Sequence, residues 1–547
     1  MEAKDLIKMY NREKGSSERA NFNNLYESCA EFCNPRNDTI TGGRTAGERK
    51  DSDRIIDIGI KARRMFTAGM MSHLFPQGQR WLRLVTVDRD IMQNDNVKRA
   101  LTAATKRFVS TIENSNFYEE MGQCIDHCGY IGTTLMYCEN DKKSLLNFRS
   151  HFIDKFYFCE NYQGMVDTVI REFTLTSRQA LQQFGEDCPS EIAEQATAPS
   201  TSNKEHKFIH VVMPRTDYDI SKKDKKNKLV ASYYVSLTSN DIVMESGFDE
   251  MPYSVGRFYK TNYEKYGRSP ASEVINTLPL INRMEVSRIR GAERVSNPPW
   301  LAPNDGSVRR ISNDQGSIIY WDAGNPLSKP EQLMPRDNVV VNDAMIQKKE
   351  EEVMDAFYIP MFNPLINRKN MTASETQERL NLSLQFLTPA VNRINKYFVK
   401  PILERAFSIM YRDNLFPELE IEELSGQAID FDLVGKASIA ARQIELFGTM
   451  TAMQQMAVVG QVKPEIWDNI NPDATARFIQ EVNMVPIELQ NSVEEVTQSR
   501  VFRMQLQQQQ MEMQAMQAEG DFLSKANKTP EEGSGAAELL GEEQEEV

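Results

Sequence analysis

The 547-residue sequence predicts a mixed α+β fold that is predominantly helical, and three observations carry that assignment. Long segments repeat apolar residues at helical spacing, and the stretch from Ile131 to Leu237 instead holds short strand-like runs. Between Tyr266 and Met410 the order is long helix, Pro-rich β insertion, shorter helix, loop and long helix. That order suggests a conduit more than a catalyst.

Residues 1–34 read as helical, and Asn37 to Lys50 as a Gly- and Thr-rich loop. A helix is expected from Ser52 to about Leu74. Trp81 to Val87 alternates apolar and polar residues as a half-buried strand does, and Asn94 to Asn114 is again helical. Strands are expected at Thr133 to Cys138, Phe156 to Cys159, Val166 to Leu175, Phe208 to Met213 and Ser232 to Leu237. Ser190 to Asn203 is polar and loop-like. Lys222 to Lys228 reads as a solvated turn between two strands, since charge runs are usually exposed.

Pro270 to Ser296 has a helical pattern containing one Leu278-Pro279 pair, and it stops at Asn297-Pro298-Pro299, where prolines remove backbone donors. Ser317 to Trp321 reads as a strand between turn residues. Helix resumes near Asn342 and ends at Ile359-Pro360. Pro360 to Asn370 reads as a loop, and Thr372-Ala373-Ser374-Glu375 has the spacing of a capping box. The helix it opens runs to about Met410, with Pro389 and Pro401 as kinks. Ile429 to Val434 reads as a strand and Lys436 to Val459 as a helix. Short helices follow Pro464, and Asn491 to Ala518 is a Gln- and Met-rich helix whose methionines suit core or inter-subunit packing. Ser524 to Val547 is acidic and poor in large apolar residues, which predicts disorder.

Several of these elements, in this order, resemble the portal, or head-to-tail connector, proteins of short-tailed double-stranded DNA bacteriophages. The resembling features are Asn297-Pro298-Pro299 after a long helix, the Gly316 to Tyr320 strand, and the Glu350 to Phe357 helix ending in an aromatic loop. Further features are Thr372 to Arg379, Pro389 before a long helix carrying Pro401 to Arg405, Arg54 to Asp57, and Ala62 to Phe75. The resemblance spans roughly residues 1–460, and its specificity lies in the order of the motifs.

The resemblance implies a ring-forming subunit. Its parts would be a wing (1–265), a first stem helix (266–296), a β-containing clip (297–341), a second stem helix (342–357) and a tunnel loop (358–371). A wing helix with the following strand and helix (372–460), a helical crown (461–518) and an acidic disordered tail (519–547) complete the chain. It also implies a homo-oligomer, a dodecamer, at one capsid vertex of the virion, assembled in the host cytoplasm. Expected partners are major capsid and scaffolding proteins, terminase, tail adaptor or tail tube proteins, and double-stranded DNA passing through the channel. No cofactor and no catalytic residue are expected.

Composition is compatible with that expectation. The formal charge of −14 argues against a whole-surface nucleic-acid binder, yet a pore that lets a polyanion slide should avoid a dense ring of cations. The first ten residues lack the apolar core of a secretory signal, and no window approaches the ~18 apolar residues of a membrane span. Seven cysteines, an odd number, suit reduced thiols better than a disulfide framework.

Catalytic motifs are weak throughout. Gly435-Lys436-Ala437-Ser438 resembles part of a phosphate loop, but Asp430 stands where the first glycine should and Ala437 replaces the hydroxyl residue. Cys124, His127, Cys128 and Cys138 form a compact donor set, but a zinc site also needs tetrahedral convergence, and buried thiols with a satisfied histidine are the favoured reading. His206 and His210 fall on one face of a strand, without the helical turn of a zinc-protease motif. A DNA-packaging or DNA-processing enzyme, nuclease or ATPase, is the main alternative and lacks its carboxylate cluster or phosphate loop. A scaffolding or internal virion protein would need longer heptads. Basic residues near the channel elements remain: Arg283, Arg288, Arg290 and Arg294, then Lys348 and Lys349, and in the loop Arg368 and Lys369. Trp300, Ile318, Tyr320 and Trp321 are the expected partner anchors, since aromatic residues dominate interface centres.

Overall fold

The computed structural model describes residues 2–36, 39–42, 54–79, 81–88, 91–141, 144–218, 224–296, 300–301, 331–332, 339–362, 388–433, 436–460, 463–483, 485 and 489–526. The first expected helix is two: α1 (Ala3–Lys14) and α2 (Ser17–Cys33), parted at Gly15 and capped again by the Ser16 hydroxyl, which accepts from the Arg19 amide. Helix α3 (Ile58–Leu74) starts six residues later than the pattern suggested. Strand β1 (Leu82–Thr86) alternates buried and half-buried residues as expected. Asn94 caps α4 (Asp95–Asn114), whose Val97, Leu101, Ala104, Phe108 and Ile112 form one buried stripe.

Helix α5 (Phe117–Tyr130) lies in a segment the sequence reading left unassigned. Its Phe117, Met121, Cys124, Ile125 and Cys128 are all buried, because α3 and a strand cover it on both sides. Strands β2 (Thr133–Asp141), β3 (Leu145–His151), β4 (Phe156–Glu160) and β5 (Val166–Thr176) follow. Next come α6 (Ser177–Phe184), opened by a Thr176/Gln179 capping box, and α7 (Ser190–Thr197). The loop expected over Ser190 to Asn203 is therefore helical in its first half. Buried Ile192 packs with Ala180, Phe184, Phe208 and Val243, and that burial outweighs a polar composition. Strands β6 (Glu205–Pro214), β7 (Val230–Ser236), β8 (Ile242–Phe248) and β9 (Tyr253–Arg257) complete this region.

Two antiparallel sheets result, one in the order β4-β5-β6-β7-β8 and one in the order β3-β2-β9. Residue alternation in β6 sorts the faces of the larger sheet. Ile209 and Val211 meet Leu6 and Tyr10 of α1, whereas Phe208 meets α6 and α7. The main core gathers α2 to α5, the smaller sheet and the helical segment 388–412.

Three further differences from the sequence pattern have local causes. The helix expected from Pro270 to Ser296 breaks at residues 274–276 into α8 (Pro270–Glu273) and α9 (Thr277–Ser296), with Pro279 in the tolerant first turn of α9. After α10 (Val339–Ala356), Pro360 does not open a loop but sits in the first turn of α11 (Ile359–Phe362), where its missing N–H costs nothing. Ahead of Pro401 the backbone widens into a π-helical turn, Asn395–Val399, before the helix Lys400–Arg412. A proline ring that would clash with the preceding turn explains that widening.

Strand β12 (Ile429–Leu433) returns to pair with β1 across the register Leu82↔Leu433 to Thr86↔Ile429, so distant parts of the chain share one small sheet. Helices Lys436–Gly460, Pro472–Val482 and Val493–Ala526 follow. The last is helical to Ala526, eight residues into the tail expected to be disordered. Its Phe502, Met504, Met511, Met513 and Met516 are exposed, so within one chain they are not core. Among the described residues no helix is long and apolar enough to cross a membrane.

Candidate functional site

The channel candidates sit on α9 and α10, and the core fixes where these helices start. Gly132 has φ +90, and a Cβ there would stand 2.3 Å from the Arg268 carbonyl carbon, so only glycine permits this crossing. Beside it, buried Ser269 donates to the Tyr130 carbonyl and caps α8 through the Ser272 amide. Tyr26 donates to the Gly267 carbonyl at 2.7 Å, and the Gly267 amide donates to Thr133. The segment entering α9 is thus bolted to α2, α5 and β2.

Leu278 and Ile281 of α9 are buried in the main core, as are Ile346, Val353 and Phe357 around α10. Arg288 lies 3.7 Å from Asp343, and beyond the helices Trp300 and Leu301 (β10) pair antiparallel with Gln332 and Glu331 (β11). The chain therefore leaves the core along α9 and returns along α10 as an antiparallel pair. Arg283 and Arg290 are both exposed and seven residues apart, which places them on one face of α9. Arg288 instead holds Glu285 in a two-bond pair, and Lys349 holds Glu352. Exposed Lys348 stands beside exposed Glu351. The pair thus presents both signs of charge.

Downstream, Phe362 packs on Phe66 and His73, and a Cβ on Gly69 would stand 2.4 Å from its ring. The Tyr259 and Tyr358 hydroxyls hydrogen-bond each other at the turn before α11. These contacts anchor the start of the following segment. Arg368, Lys369, Ile318, Tyr320, Trp321 and the Thr372 cap lie outside the described residues, and of Trp300 only the backbone pairing is described.

The compact donor set behaves as core. Burial pushes the Cys124 thiol up to about 12 and Cys128 well above its usual value, while the Cys124 thiol donates to the Leu135 carbonyl. Burial and then Arg63 bring His127 down to about 4. Protonated thiols are poor metal ligands. His210 lies between Tyr253 (2.8 Å) and Ser232 (2.9 Å) and stacks on Tyr234, and His206 bonds Ser177. Each imidazole is thus engaged in sheet packing.

With this geometry in place, the chain can be set beside known proteins. The sequence model of bacteriophage head to tail connecting proteins matches residues 4–489. The portal protein of Salmonella phage epsilon15 is 27% identical over 477 residues, covering 86% of this chain and 85% of that protein. A probable portal protein of Bordetella phage BPP-1 is 25% identical over 441 residues, 79% of each. Among solved structures, a neck of an empty GTA particle with C6 symmetry covers 73% of this chain and 86% of its own at 10% identity, with a TM-score of 0.32, too low to define a fold. A match spanning nearly the whole chain, from α1 to the segment before the last helix, places it plainly: the chain belongs to the bacteriophage head to tail connecting proteins.

Proposed function

We propose that copies of this chain form a closed ring at one capsid vertex and that the ring conducts double-stranded DNA during packaging and ejection, without bond making of its own. The observation that carries this reading is the α9–α10 pair. It is rooted in the core by buried Leu278, Ile281, Val353 and Phe357, and its flanks carry exposed cations interleaved with carboxylates. Mixed-sign walls suit a duplex that must slide, because every phosphate neutralised by a fixed cation strengthens binding and slows passage. In this reading α9 and α10 are the stem, residues 297–341 the clip, 358–371 the tunnel loop and 461–518 the crown. The two sheets with the returning β12 form the wing.

The clip then docks the terminase during packaging and tail adaptors afterwards, and the motor supplies the ATPase activity. Exposed Phe502, Met504, Met511, Met513 and Met516 on the last helix support burial against other copies, since such an apolar run is unusual on a monomer surface. Native mass spectrometry and electron microscopy of the purified chain, with a nucleotide hydrolysis assay, test the proposal. A closed ring with an open bore and no hydrolysis is expected; a monomer that hydrolyses nucleotide would overturn it.

A further inference from the structure

A cavity of about 550 Å³ opens between the β4–β5 turn, the segment after β9 and the helix at Arg393 and Tyr397. Its wall holds Arg257, Lys260 and Arg393. The Arg257 guanidinium is only 6% exposed; it bonds Glu160 and the carbonyls of Lys265 and Gly164. Lys260 shares that same Glu160 and the Gly164 carbonyl, and Arg393 donates to the Phe258 carbonyl. Three cations against one carboxylate leave two positive charges in surplus, and among the described residues no other carboxylate touches them. Cations drawn partly out of water gain from an added carboxylate, so the wall can accept a further anionic group.

The mouth of the cavity shows what completes it. Tyr263 and Tyr397 line it and Tyr162 precedes lining residue Gln163, with exposures of 105%, 43% and 94%. Tyr263 is held at φ +67, a conformation non-glycine residues rarely keep unless their surroundings impose it. Exposed tyrosines around a cationic pocket mark a protein interface, where their rings supply contact area at low entropic cost. An Asp or Glu side chain is slender enough to reach into the concavity and can pair with an Arg guanidinium through two parallel bonds. With 78 acidic residues against 64 basic ones, this chain's own surface is rich in such groups.

We propose that the pocket walled by Arg257, Lys260 and Arg393 receives a carboxylate side chain from a second copy of this chain, forming one half of the contact between neighbours in the ring. The contact is heterologous: a basic pocket on one copy meets a different, acidic patch on the next, the geometry that rotation about a ring axis requires. The proposal rests on the ring reading, and the test separates the two.

The test places a benzophenone amino acid at Tyr263 of the full chain, illuminates the assembled protein and maps cross-linked peptides by mass spectrometry. Cross-links from Tyr263 to an Asp- or Glu-bearing peptide of another copy are expected. Cross-links only to DNA, only within one copy, or none in an assembly of ring mass would overturn the pocket assignment and leave the ring intact, whereas a monomeric mass for the unaltered chain would overturn the ring itself. Arg393→Glu should weaken assembly at least tenfold with unchanged circular dichroism, and Arg393→Lys should restore most of it; wild-type assembly by Arg393→Glu would also overturn the proposal. Should the benzophenone at Tyr263 block folding, the same probe at Tyr162 reads the same contact.

Discussion

Three histidines, His127 and His210 buried and His151 half-buried, make the sheet region sensitive to acid. Burial, then Arg171 and Arg149, bring His151 down to about 3; burial and Arg63 bring His127 to about 4; burial with Arg171 and His151 holds His210 well below 6.5. Each takes up a proton more readily unfolded than folded, so stability is complete above pH 6.5 and is lost as pH falls through the unfolded value. The loss is about 1.4 kcal/mol per pH unit per histidine. Asp154 works the other way, because burial raises it to about 6 and protonation then favours the folded state, offsetting part of the loss between pH 6 and 4. His151→Gln keeps an acceptor for Arg171, which donates to the imidazole at 2.8 Å, and removes one titration. Denaturant unfolding at pH values from 7 to 4.5 should show a shallower slope for this variant by about one proton. An unchanged slope would mean that His151 does not contribute.

Between elements, the β1–β12 pair joins the N-terminal half to the chain beyond residue 428. Phe431 is 8% exposed and meets Phe108 at 5.7 Å and Phe407 at 5.8 Å, while Arg83 and Asp432 bond at 2.6 Å on the outer side. The outer pair is partly exposed and contributes little, so the ring cluster carries the junction. Phe431→Ala should destabilise by about 3–5 kcal/mol. Amide hydrogen exchange should accelerate at Leu82 to Thr86 and Ile429 to Leu433 first. Uniform acceleration would show that this strand unfolds only with the rest of the domain.

In the ring proposed above, the segment with the proposed channel role is framed by the described structure. Phe362 is pinned on Phe66 and Gly69, and helix resumes at residue 388, so Arg368 and Lys369 belong to a connection held at both ends. If that connection reaches the bore, its contacts with phosphate are electrostatic and independent of sequence. Arg368→Glu with Lys369→Glu should then leave ring assembly intact and lower DNA retention in filled particles, most at low salt and less as salt screens the wild-type contacts. Retention equal to wild type at every salt concentration would place these side chains against protein.

Periodicity made α4, the β5–β7 strands and the α9 and α10 helices legible, because each buries one regular face. The order of those elements with their prolines carried the family, which the match over residues 4–489 then established. Helix α5 was missed although its buried Phe117, Met121, Cys124, Ile125 and Cys128 recur at helical spacing, with Glu119 and Gln123 exposed between them. Strand β3 was missed as well; Leu145 enters it at φ +64, and its pairing with β2 is what makes it a strand. The cationic pocket had no sequence signature either: Glu160, Arg257, Lys260 and Arg393 are ordinary surface residue types, scattered over more than two hundred positions. Local sequence determines which segments become helix or strand, since that depends on neighbours a few residues apart. Which charges converge, which strand returns to pair with β1 and which face of each helix is covered depend on contacts between distant segments, and only the tertiary structure decided them.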